Sequence, residues 1–432
     1  MLRLILAGCM VLSSVAHAKT HESWLVVTDL WGNASYQSLE LDIDGKNTAG
    51  TLDGDPIEGT RNGDTLRFDA KDKHASVYHY VATIAAASMS GTVDVPDTNH
   101  ADRRVTHAFR ARRIADRPAG PPRTITFVPT DYSNEFSPHR APVLTVWPGD
   151  TIRTTTIDSG GVDEHGVTRA LFGNPQTGPF YIAGANPGDT LVVHIKRLHL
   201  NRDYADSLDA LVPRVLGPRL AADARDLGKP VRWTLDRERG TARPESPTDR
   251  LKAFEVPVHP MLGGLAVAPG FGSAPISTGD TGRFGGNMDF NEVVEGNTVY
   301  LPVFQPGALL YVGDAHALQG DGETSQYALE TSMDVELTVD VVRGRSIAMP
   351  RVESKTEIMA LGQAGSLDDA VRAATAGIAE WLQQDYGLTL SETAQVLGSS
   401  ARYVVVNLAG RSVGVAAKID KARLAALRPT HD

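Results

Sequence analysis

The fold is decided by two related stretches, APVLTVWPGDTIRTTTI at residues 141–157 and PFYIAGANPGDTLVVHI at residues 179–195. In each stretch a strand-like run leads through Pro-Gly-Asp-Thr into a second strand-like run. Proline presets φ, glycine takes a positive φ and aspartate caps a turn, so this tetrapeptide is a turn that opens a strand. Repeated strand–turn–strand units are typical of stacked hairpins in a sandwich or barrel. The sequence therefore predicts a mainly β fold with an antiparallel β-sandwich or barrel core.

Segments with other patterns flank this core. Residues 19–120 contain short strand-like runs separated by Asp-Gly and Asn-Gly pairs, which predict a β domain of open role. The basic segment 103–123 ends in proline and glycine, and we interpret it as a linker. An alternation of apolar and acidic side chains through 325–344 predicts one long strand with Glu330 on its polar face. Apolar side chains recur at helical spacing in 366–387, between a serine cap and a glycine stop, and predict a helix. The predicted parts are a leader at 1–18, the N-terminal β domain at 19–120, the β core at 121–350 and a small α/β appendage at 351–432.

Composition limits the partners and the compartment. Lysine plus arginine total 42 and aspartate plus glutamate total 52, a formal net charge of −10, which disfavours nucleic acid and anionic membranes as partners. Residues 1–18 combine Arg3, an apolar run too short to span a bilayer and Ala-His-Ala, and they predict a secretory signal cleaved after Ala18. A periplasmic or extracellular location and no membrane span are therefore expected. Cys9 is the single cysteine, which excludes an intramolecular disulfide; its lipidation is the less favoured alternative.

The residues best suited to chemistry follow one predicted strand. The run GALLYV, residues 307–312, leads into Gly-Asp-Ala-His and then Gly-Asp-Gly-Glu. Asp314 and His316 are two residues apart, so on an extended chain both point to one face. Carboxylates, an imidazole and glycines at a strand end suit a metal or acid–base site, which Asp289 and Asp158 could join. The alternative at this point is that aspartate and glycine simply build turns.

These motifs resemble the acetamidase/formamidase family. That family carries a GGNMD segment and a G-A-L-L-x-x-G-D-x-H-A-x-x-G-D-G-E signature, and neither is substituted here at its fixed positions. Its two strand–PGDT–strand elements and its P-M-x-G element also have counterparts, although Ala266 replaces a usual glycine. The resemblance covers about 130–350, whereas residues 19–120 have no counterpart in the family core. The matching segments are 142–158, 174–191, 260–269, 285–289 and 307–323.

The resemblance implies hydrolysis of the C–N bond of a small linear carboxamide, such as acetamide or formamide, to a carboxylate and ammonia. Residues 121–350 would be the catalytic core and 351–432 its α/β part. A divalent cation can activate water and stabilise the developing oxyanion. Zinc suits mixed histidine and carboxylate ligands, whereas an all-oxygen set would suit calcium. The ligands expected from the resemblance are Asp158, Asp289, Asp314 and His316.

Four more residues receive expected roles from the same resemblance. Glu323 is the expected general base that later gives its proton to ammonia, and Asn287 is the expected donor to the oxyanion. His259 and Gly286 are expected to line the substrate site. The structural alternative for Glu323 and Asn287 is a place in a turn.

Two other functions and the oligomeric state stay open. One rival is a non-catalytic exported β-sandwich binding protein with a structural cation. The other is an amidase with a serine or threonine nucleophile, which the absence of a G-x-S-x-G elbow disfavours. A small amide is the expected partner, and a homo-oligomer is left open.

Overall fold

The computed structural model describes residues 19–100 and 102–430. The predicted signal peptide at 1–18, with Cys9, lies outside the described residues. The chain divides into two compact units, 1–116 and 117–432. Strands make up most of the regular structure in the part described, which confirms the prediction of a mainly β fold.

The first unit is a closed antiparallel barrel. Each strand pairs with the next one along the chain, and the last pairs with the first. Alternate side chains point into the barrel, where Trp24, Leu39, Phe68 and Phe109 belong to one buried cluster. The barrel strands are β1 (Thr20–Leu30), β2 (Asn33–Asp44), β3 (Asn47–Leu52), β4 (Asp55–Asn62), β5 (Thr65–Lys71), β6 (Val77–Ala85), β7 (Ser88–Pro96) and β8 (Arg104–Ile114).

Strand β8 corrects the interpretation of residues 103–123 as a linker. Phe109 and Ala111 are buried inside the barrel. Arg110, which lies between them, and Arg112, which follows them, are exposed. The segment therefore has the period of two expected of a half-buried strand. Its arginines occupy the outward positions, and their charge concealed the alternation.

The second unit contains two large sheets and one pair of short strands. Its helices are α1 (Pro218–Asp223), α2 (Leu367–Tyr386), α3 (Leu390–Ser400) and α4 (Lys421–Leu424), with 3₁₀ turns at Pro213–Val215 and Asp249–Leu251. Its strands are β9 (Thr124–Thr126), β10 (Glu135–Phe136), β11 (Leu144–Val146), β12 (Thr151–Thr156), β13 (Gln176–Ile182), β14 (Thr190–Leu200), β15 (Tyr204–Leu208), β16 (Pro230–Asp236), β17 (Thr241–Pro244), β18 (Val256–Pro257), β19 (Met261–Ala266), β20 (Ile276–Ser277), β21 (Thr281–Gly282), β22 (Gly285–Asn287), β23 (Thr298–Pro302), β24 (Leu310–His316), β25 (Glu330–Thr331), β26 (Met333–Val342), β27 (Arg351–Glu353), β28 (Glu357–Ala364), β29 (Arg402–Asn407) and β30 (Val413–Asp420).

Strand order places β24 inside an eleven-stranded sheet. That sheet runs β18-β17-β16-β15-β25-β24-β19-β22-β21, with β13 beside β24 and β11 beside β13. The nine-stranded sheet runs β29-β30-β28-β27-β23-β14-β26-β12-β9, and β10 pairs with β20. Strand β12 of the nine-stranded sheet lies against β13 and β24 of the eleven-stranded one. The end of β24 is therefore covered by neighbours on several sides.

Each Pro-Gly-Asp-Thr turn links the two large sheets rather than two strands of one hairpin. Strands β11 and β13 enter the turns from the eleven-stranded sheet, and β12 and β14 leave them in the nine-stranded sheet. The aspartates cap the turns as predicted. Asp150 accepts the Trp147 N–H at 3.2 Å, and Asp189 accepts the Asn186 N–H at 2.8 Å.

The C-terminal segment continues the core. Strands β27 to β30 extend the nine-stranded sheet, and α2 packs on β28 and β30. The predicted helix at 366–387 is confirmed: the Ser366 side chain accepts the Asp369 N–H, and Gly387 ends the helix in the left-handed conformation. Among the residues described, no helix combines the length and apolar composition needed to cross a bilayer.

Candidate functional site

Three of the predicted ligands meet at the end of β24. Asp314 and His316 lie on this strand, and Asp289 lies two residues after the end of β22. Each residue offers one ligand atom, and these atoms lie within 4.8 Å of one another. All three residues are 1% exposed. The structure therefore brings together the Asp-Asp-His part of the predicted set, and we call these three residues the Asp-Asp-His cluster.

A glycine on the neighbouring strand leaves room for the cluster. A Cβ atom at Gly263 of β19 would lie 2.6 Å from Asp289 Oδ1 and 2.7 Å from Asp314 Oδ2. Real Cβ atoms do not come that close to oxygen, so a side chain here would displace both carboxylates. Glycine at position 263 therefore leaves room for both carboxylates.

The cluster contains buried polar atoms with no hydrogen-bond partner. These atoms are Asp289 Oδ1, Asp314 Oδ1 and His316 Nε2. Glu330 Oε2, beside the cluster, also has no hydrogen-bond partner. Buried polar groups are normally satisfied, and leaving several unpaired in one place is costly. Two carboxylate oxygens and an imidazole nitrogen are a suitable donor set for a divalent cation. The residues present therefore fit a metal ion, which would satisfy the atoms that the protein leaves unpaired.

The remaining carboxylate oxygens are held by side-chain amides. Asp289 Oδ2 accepts hydrogen bonds from Asn287 Nδ2 at 2.7 Å and from Asn407 Nδ2. Asp314 Oδ2 accepts one from Asn174 Nδ2 at 3.1 Å. Each aspartate thus has one oxygen held by hydrogen bonds and one without a hydrogen bond. Such outer contacts orient ligands and tune a metal site.

Gln319 determines which nitrogen of His316 carries the proton. The Gln319 amide Nε2 donates to the Asp289 carbonyl oxygen at 2.6 Å, which leaves Gln319 Oε1 facing His316 Nδ1 at 3.0 Å. Because Oε1 can only accept, Nδ1 must carry a hydrogen. In neutral His316 the lone pair is then on Nε2, the nitrogen that lies 3.6 Å from Asp314 Oδ1 and 3.3 Å from Glu330 Oε2.

Four residues of the site have left-handed backbone conformations. The φ angles are 59° at Asn174, 45° at Asp289, 53° at Asp314 and 42° at Glu323. This region is unfavourable for residues other than glycine, and such strain concentrates at functional sites. Its presence at four residues around one cluster supports a functional rather than a turn-building role.

Burial and like charge shift the pKa values of the site. Burial raises the pKa of Asp289 well above its ordinary value, and the charges of Glu323 and Asp314 raise it further. Burial is also the main cause that raises the pKa of Glu323 to about 8, with Glu330 and Asp314 adding to it. The pKa of Glu330 is raised by burial as well. Burial lowers the pKa of His316, but the charges of Glu330 and Asp314 outweigh it and leave that pKa well above its ordinary value.

Proton release on metal binding is the first prediction. The raised pKa values mean that the metal-free site holds protons at neutral pH, whereas a cation requires deprotonated ligands. We expect binding of Zn²⁺ to release protons from Asp289 and His316, and the apparent affinity to increase as pH rises. Calorimetry in buffers of different ionisation enthalpy measures the released protons. Binding without proton release would contradict these protonation states.

Asp158 is not part of the group of ligand atoms that the structure brings together. Its Oδ2 forms a buried ion pair with Arg202 at 2.7 Å, and its Oδ1 accepts the Val162 N–H at 2.8 Å. Arg202 also donates to the Glu330 carbonyl oxygen at 3.2 Å. The Asp158 carboxylate is thus already paired, and Arg202 connects it to the backbone of β25.

The structure gives three other predicted residues different places. Asn287 donates to Asp289, and its Oδ1 accepts from Asn174 Nδ2 at 2.7 Å, so its contacts position the cluster instead of facing a substrate. Gly286 packs backbone against backbone, because a Cβ there would lie 2.4 Å from the Asp280 carbonyl oxygen. The His259 side chain is exposed, although its backbone N–H donates to the carbonyl oxygen of Ala317, the residue after His316. Their predicted contacts with an oxyanion or a substrate therefore have no support from these positions.

Sequence reasoning missed four residues of the site. Glu330 was expected on the polar face of a long strand, but it is buried in the short strand β25 opposite His316. Gln319 and Asn174 stand inside the quoted family segments, so those segments were the signal for them. Asn407 lies in β29, in a segment that offered no chemical signal.

Comparisons with known proteins agree with the site. A model described as the Acetamidase/Formamidase family matches residues 273–387, which include the Asp-Asp-His cluster. The acetamidase of Mycolicibacterium smegmatis is 39% identical over 61 residues, 14% of this chain and 15% of the relative. A candidate formamidase of Schizosaccharomyces pombe is 27% identical over 193 residues, 34% of this chain and 47% of the relative. The matched segments thus span less than half the length of these curated relatives.

A solved structure matches a larger part of the chain. The acetamidase of Yersinia enterocolitica superimposes with a TM-score of 0.61 and 27% identity, covering 71% of this chain and 94% of that chain. The family model, the relatives and the solved structure all agree with the geometry of the cluster. The chain is similar to the acetamidase/formamidase family.

Proposed function

We propose that this protein hydrolyses the carbon–nitrogen bond of linear carboxamides, with a divalent cation at the Asp-Asp-His cluster. The observation that carries this proposal is the set of unpaired buried ligand atoms, with Glu323 near them. Similarity to the family adds support, since the relatives reported above are named as acetamidases and a formamidase.

The residues fit the protons that amide hydrolysis must move. Water adds a hydroxyl to the carbonyl carbon and a proton to the leaving nitrogen, which gives a carboxylate and ammonia. When bound, the cation would supply acidified water and a polarised carbonyl. Glu323 takes the proton at its carboxylate and returns it to the nitrogen, and a pKa of about 8 suits both steps near neutral pH.

Zinc is the cation that we propose for the cluster, with calcium as the alternative. The imidazole nitrogen of His316 is a typical zinc ligand, whereas calcium prefers oxygen ligands in larger number. The cluster offers two aspartates and one histidine. Three protein ligands leave a coordination position open, as catalytic zinc sites do.

The cluster geometry disfavours a serine or threonine nucleophile activated by His316. Such a nucleophile needs a hydroxyl hydrogen-bonded to the base. Here His316 Nδ1 bonds to Gln319, and Nε2 faces Asp314 and Glu330. Both ring nitrogens are thus directed at other groups.

Metal analysis combined with ammonia release tests the function. We would purify the chain without residues 1–18, measure bound metals, and assay acetamide and formamide before and after chelation. Activity that is lost with chelator and restored by one cation supports the proposal. A metal-loaded protein that releases no ammonia from any amide would favour the binding-protein rival. Asp209→Asn, at an exposed carboxylate, is the control and should behave as wild type.

We further propose that the barrel is dispensable for chemistry. Every residue assigned to the site belongs to the second unit, and the barrel has a hydrophobic cluster of its own. Deletion of residues 19–116 is therefore expected to leave amide kcat within about threefold of the full chain. Circular dichroism and kinetics measure this. A folded truncation that is inactive toward every amide would show that the barrel contributes to catalysis.

Export remains a proposal that rests on residues 1–18 alone. The n-region, the apolar run and Ala-His-Ala support cleavage after Ala18. N-terminal sequencing of secreted material should begin at Lys19. A lipid on Cys9 would replace this proposal with membrane anchoring.

A further inference from the structure

A cavity of about 320 Å³ opens beside Glu323. Glu323 and Gln319, the residue that holds His316, both line it. Its other walls come from the rest of the segment after β24 and from β15, β16 and β18. The cavity thus adjoins the proposed base and the residue that holds His316, although the Asp-Asp-His cluster itself does not line it.

Much of the cavity lining is apolar and aromatic. Trp233 is fixed by a hydrogen bond from its indole Nε1 to Ser207 Oγ at 2.9 Å. Phe254 meets the Trp233 ring edge to face, with centroids 6.2 Å apart. Leu318 and Leu329 complete the apolar lining. Two aromatic rings in this arrangement provide a preformed surface for another aromatic group.

We propose that this cavity binds an aromatic group carried by the amide substrate, so that the preferred substrates are aryl-substituted amides larger than acetamide. This inference rests on the proposed amide hydrolysis and names its substrate class. A methyl group leaves such a cavity filled with water. Each buried methylene strengthens binding about fourfold. A phenyl group in place of a methyl hydrogen of acetamide, or a benzyl group in place of an amide hydrogen, is therefore expected to raise kcat/KM by about 10²-fold or more.

The polar residues of the cavity are compatible with a substrate whose amide group lies near Glu323 and whose aromatic group lies near Trp233. Thr324 and Ser325 lie in the same segment as Glu323, whereas Trp233 and Phe254 come from other segments. An amide group near Glu323 and an aromatic group near Trp233 therefore each meet a matching surface. The substituent can be on the acyl carbon, in which case hydrolysis releases ammonia, or on the nitrogen, in which case it releases the substituted amine. Substrates of both kinds distinguish these arrangements.

The first test compares kcat/KM for phenylacetamide, N-benzylacetamide and acetamide. A preference of about 10²-fold for either aromatic amide supports the proposal and identifies the side that carries the ring. Val256→Trp places a large side chain in the cavity, and Phe254→Ala removes part of the aromatic surface. Both should lower the ratio of aromatic amide to acetamide about tenfold or more. Phe271→Ala, at an exposed phenylalanine that does not line this cavity, should leave the ratio unchanged.

Binding separates failure of this inference from failure of the proposed function. Calorimetry measures phenylacetamide and acetamide binding to the metal-loaded wild type and to Val256→Trp, whether or not either amide is cleaved. Tighter phenylacetamide binding that Val256→Trp abolishes supports the cavity even if no amide is hydrolysed. Equal preference for the three amides, or aromatic preference unchanged in both folded cavity variants, overturns the proposal.

Discussion

Glu323→Gln is expected to lower kcat for amide hydrolysis about 10²–10⁴-fold while the metal stays bound. Glutamine keeps the size of the side chain and can still accept the Ala328 N–H that the glutamate accepts. It cannot take up a proton. The loss should therefore fall on turnover, with metal content measured by mass spectrometry at the wild-type level.

Asp321→Asn is the matched control for this variant. Asp321 lies two residues away in the same glycine-rich turn, but it is exposed and accepts a hydrogen bond from Asn291. Its amide variant should keep wild-type kcat. Normal turnover in Glu323→Gln would refute the assignment of the base. A large loss of metal in that variant would make Glu323 a ligand or its support.

The pH profile adds a readout specific to this role. Burial raises the pKa of Glu323 to about 8, so the deprotonated base becomes more abundant as pH rises toward that value. Activity limited by the base should rise with pH in the metal-loaded enzyme, at a pH below about 8 because the charge of the cation lowers the pKa of Glu323. In Glu323→Gln this rise should be absent. An unchanged profile would assign the titration to another group.

Local spacing made part of the site predictable. Asp314 and His316 share one strand, and the geometry of a strand fixes their separation whatever the rest of the chain does. The Pro-Gly-Asp-Thr turns were likewise predictable, because their conformations depend on a few adjacent residues. Which sheets those turns connect depends on distant strands, and the sequence pattern does not contain that information.

The rest of the site depends on contacts between distant segments. Asn407 reaches Asp289 across 118 positions, and nothing near it marks it as a site residue. Glu330 joins His316 only because β25 pairs with the end of β24. Asp158 had the right residue type beside flexible glycines, yet Arg202 engages its carboxylate. An aspartate beside glycines is equally compatible with a ligand and with an ion pair, so only the fold distinguishes them.

His316→Ala is expected to lower metal affinity more than about 100-fold and to abolish amide hydrolysis. The substitution removes the nitrogen ligand and leaves Asp289 and Asp314 as the remaining members of the cluster. Removal of an outer contact to a ligand typically costs 10–100-fold in metal affinity, and loss of a ligand itself should exceed that range. Equilibrium titration with Zn²⁺ against a competing chelator measures the affinity.

Gln319→Leu provides the intermediate step that makes this series informative. Leucine keeps the volume but cannot accept the Nδ1 hydrogen of His316 or donate to the Asp289 carbonyl oxygen. We expect metal affinity to fall about 10–100-fold, less than in His316→Ala. His259→Ala, at an exposed histidine, should keep full affinity. This order follows only if His316 binds the metal through Nε2 and Gln319 orients it. Full metal binding in His316→Ala would place the cation elsewhere, and wild-type affinity in Gln319→Leu would show that the histidine needs no support.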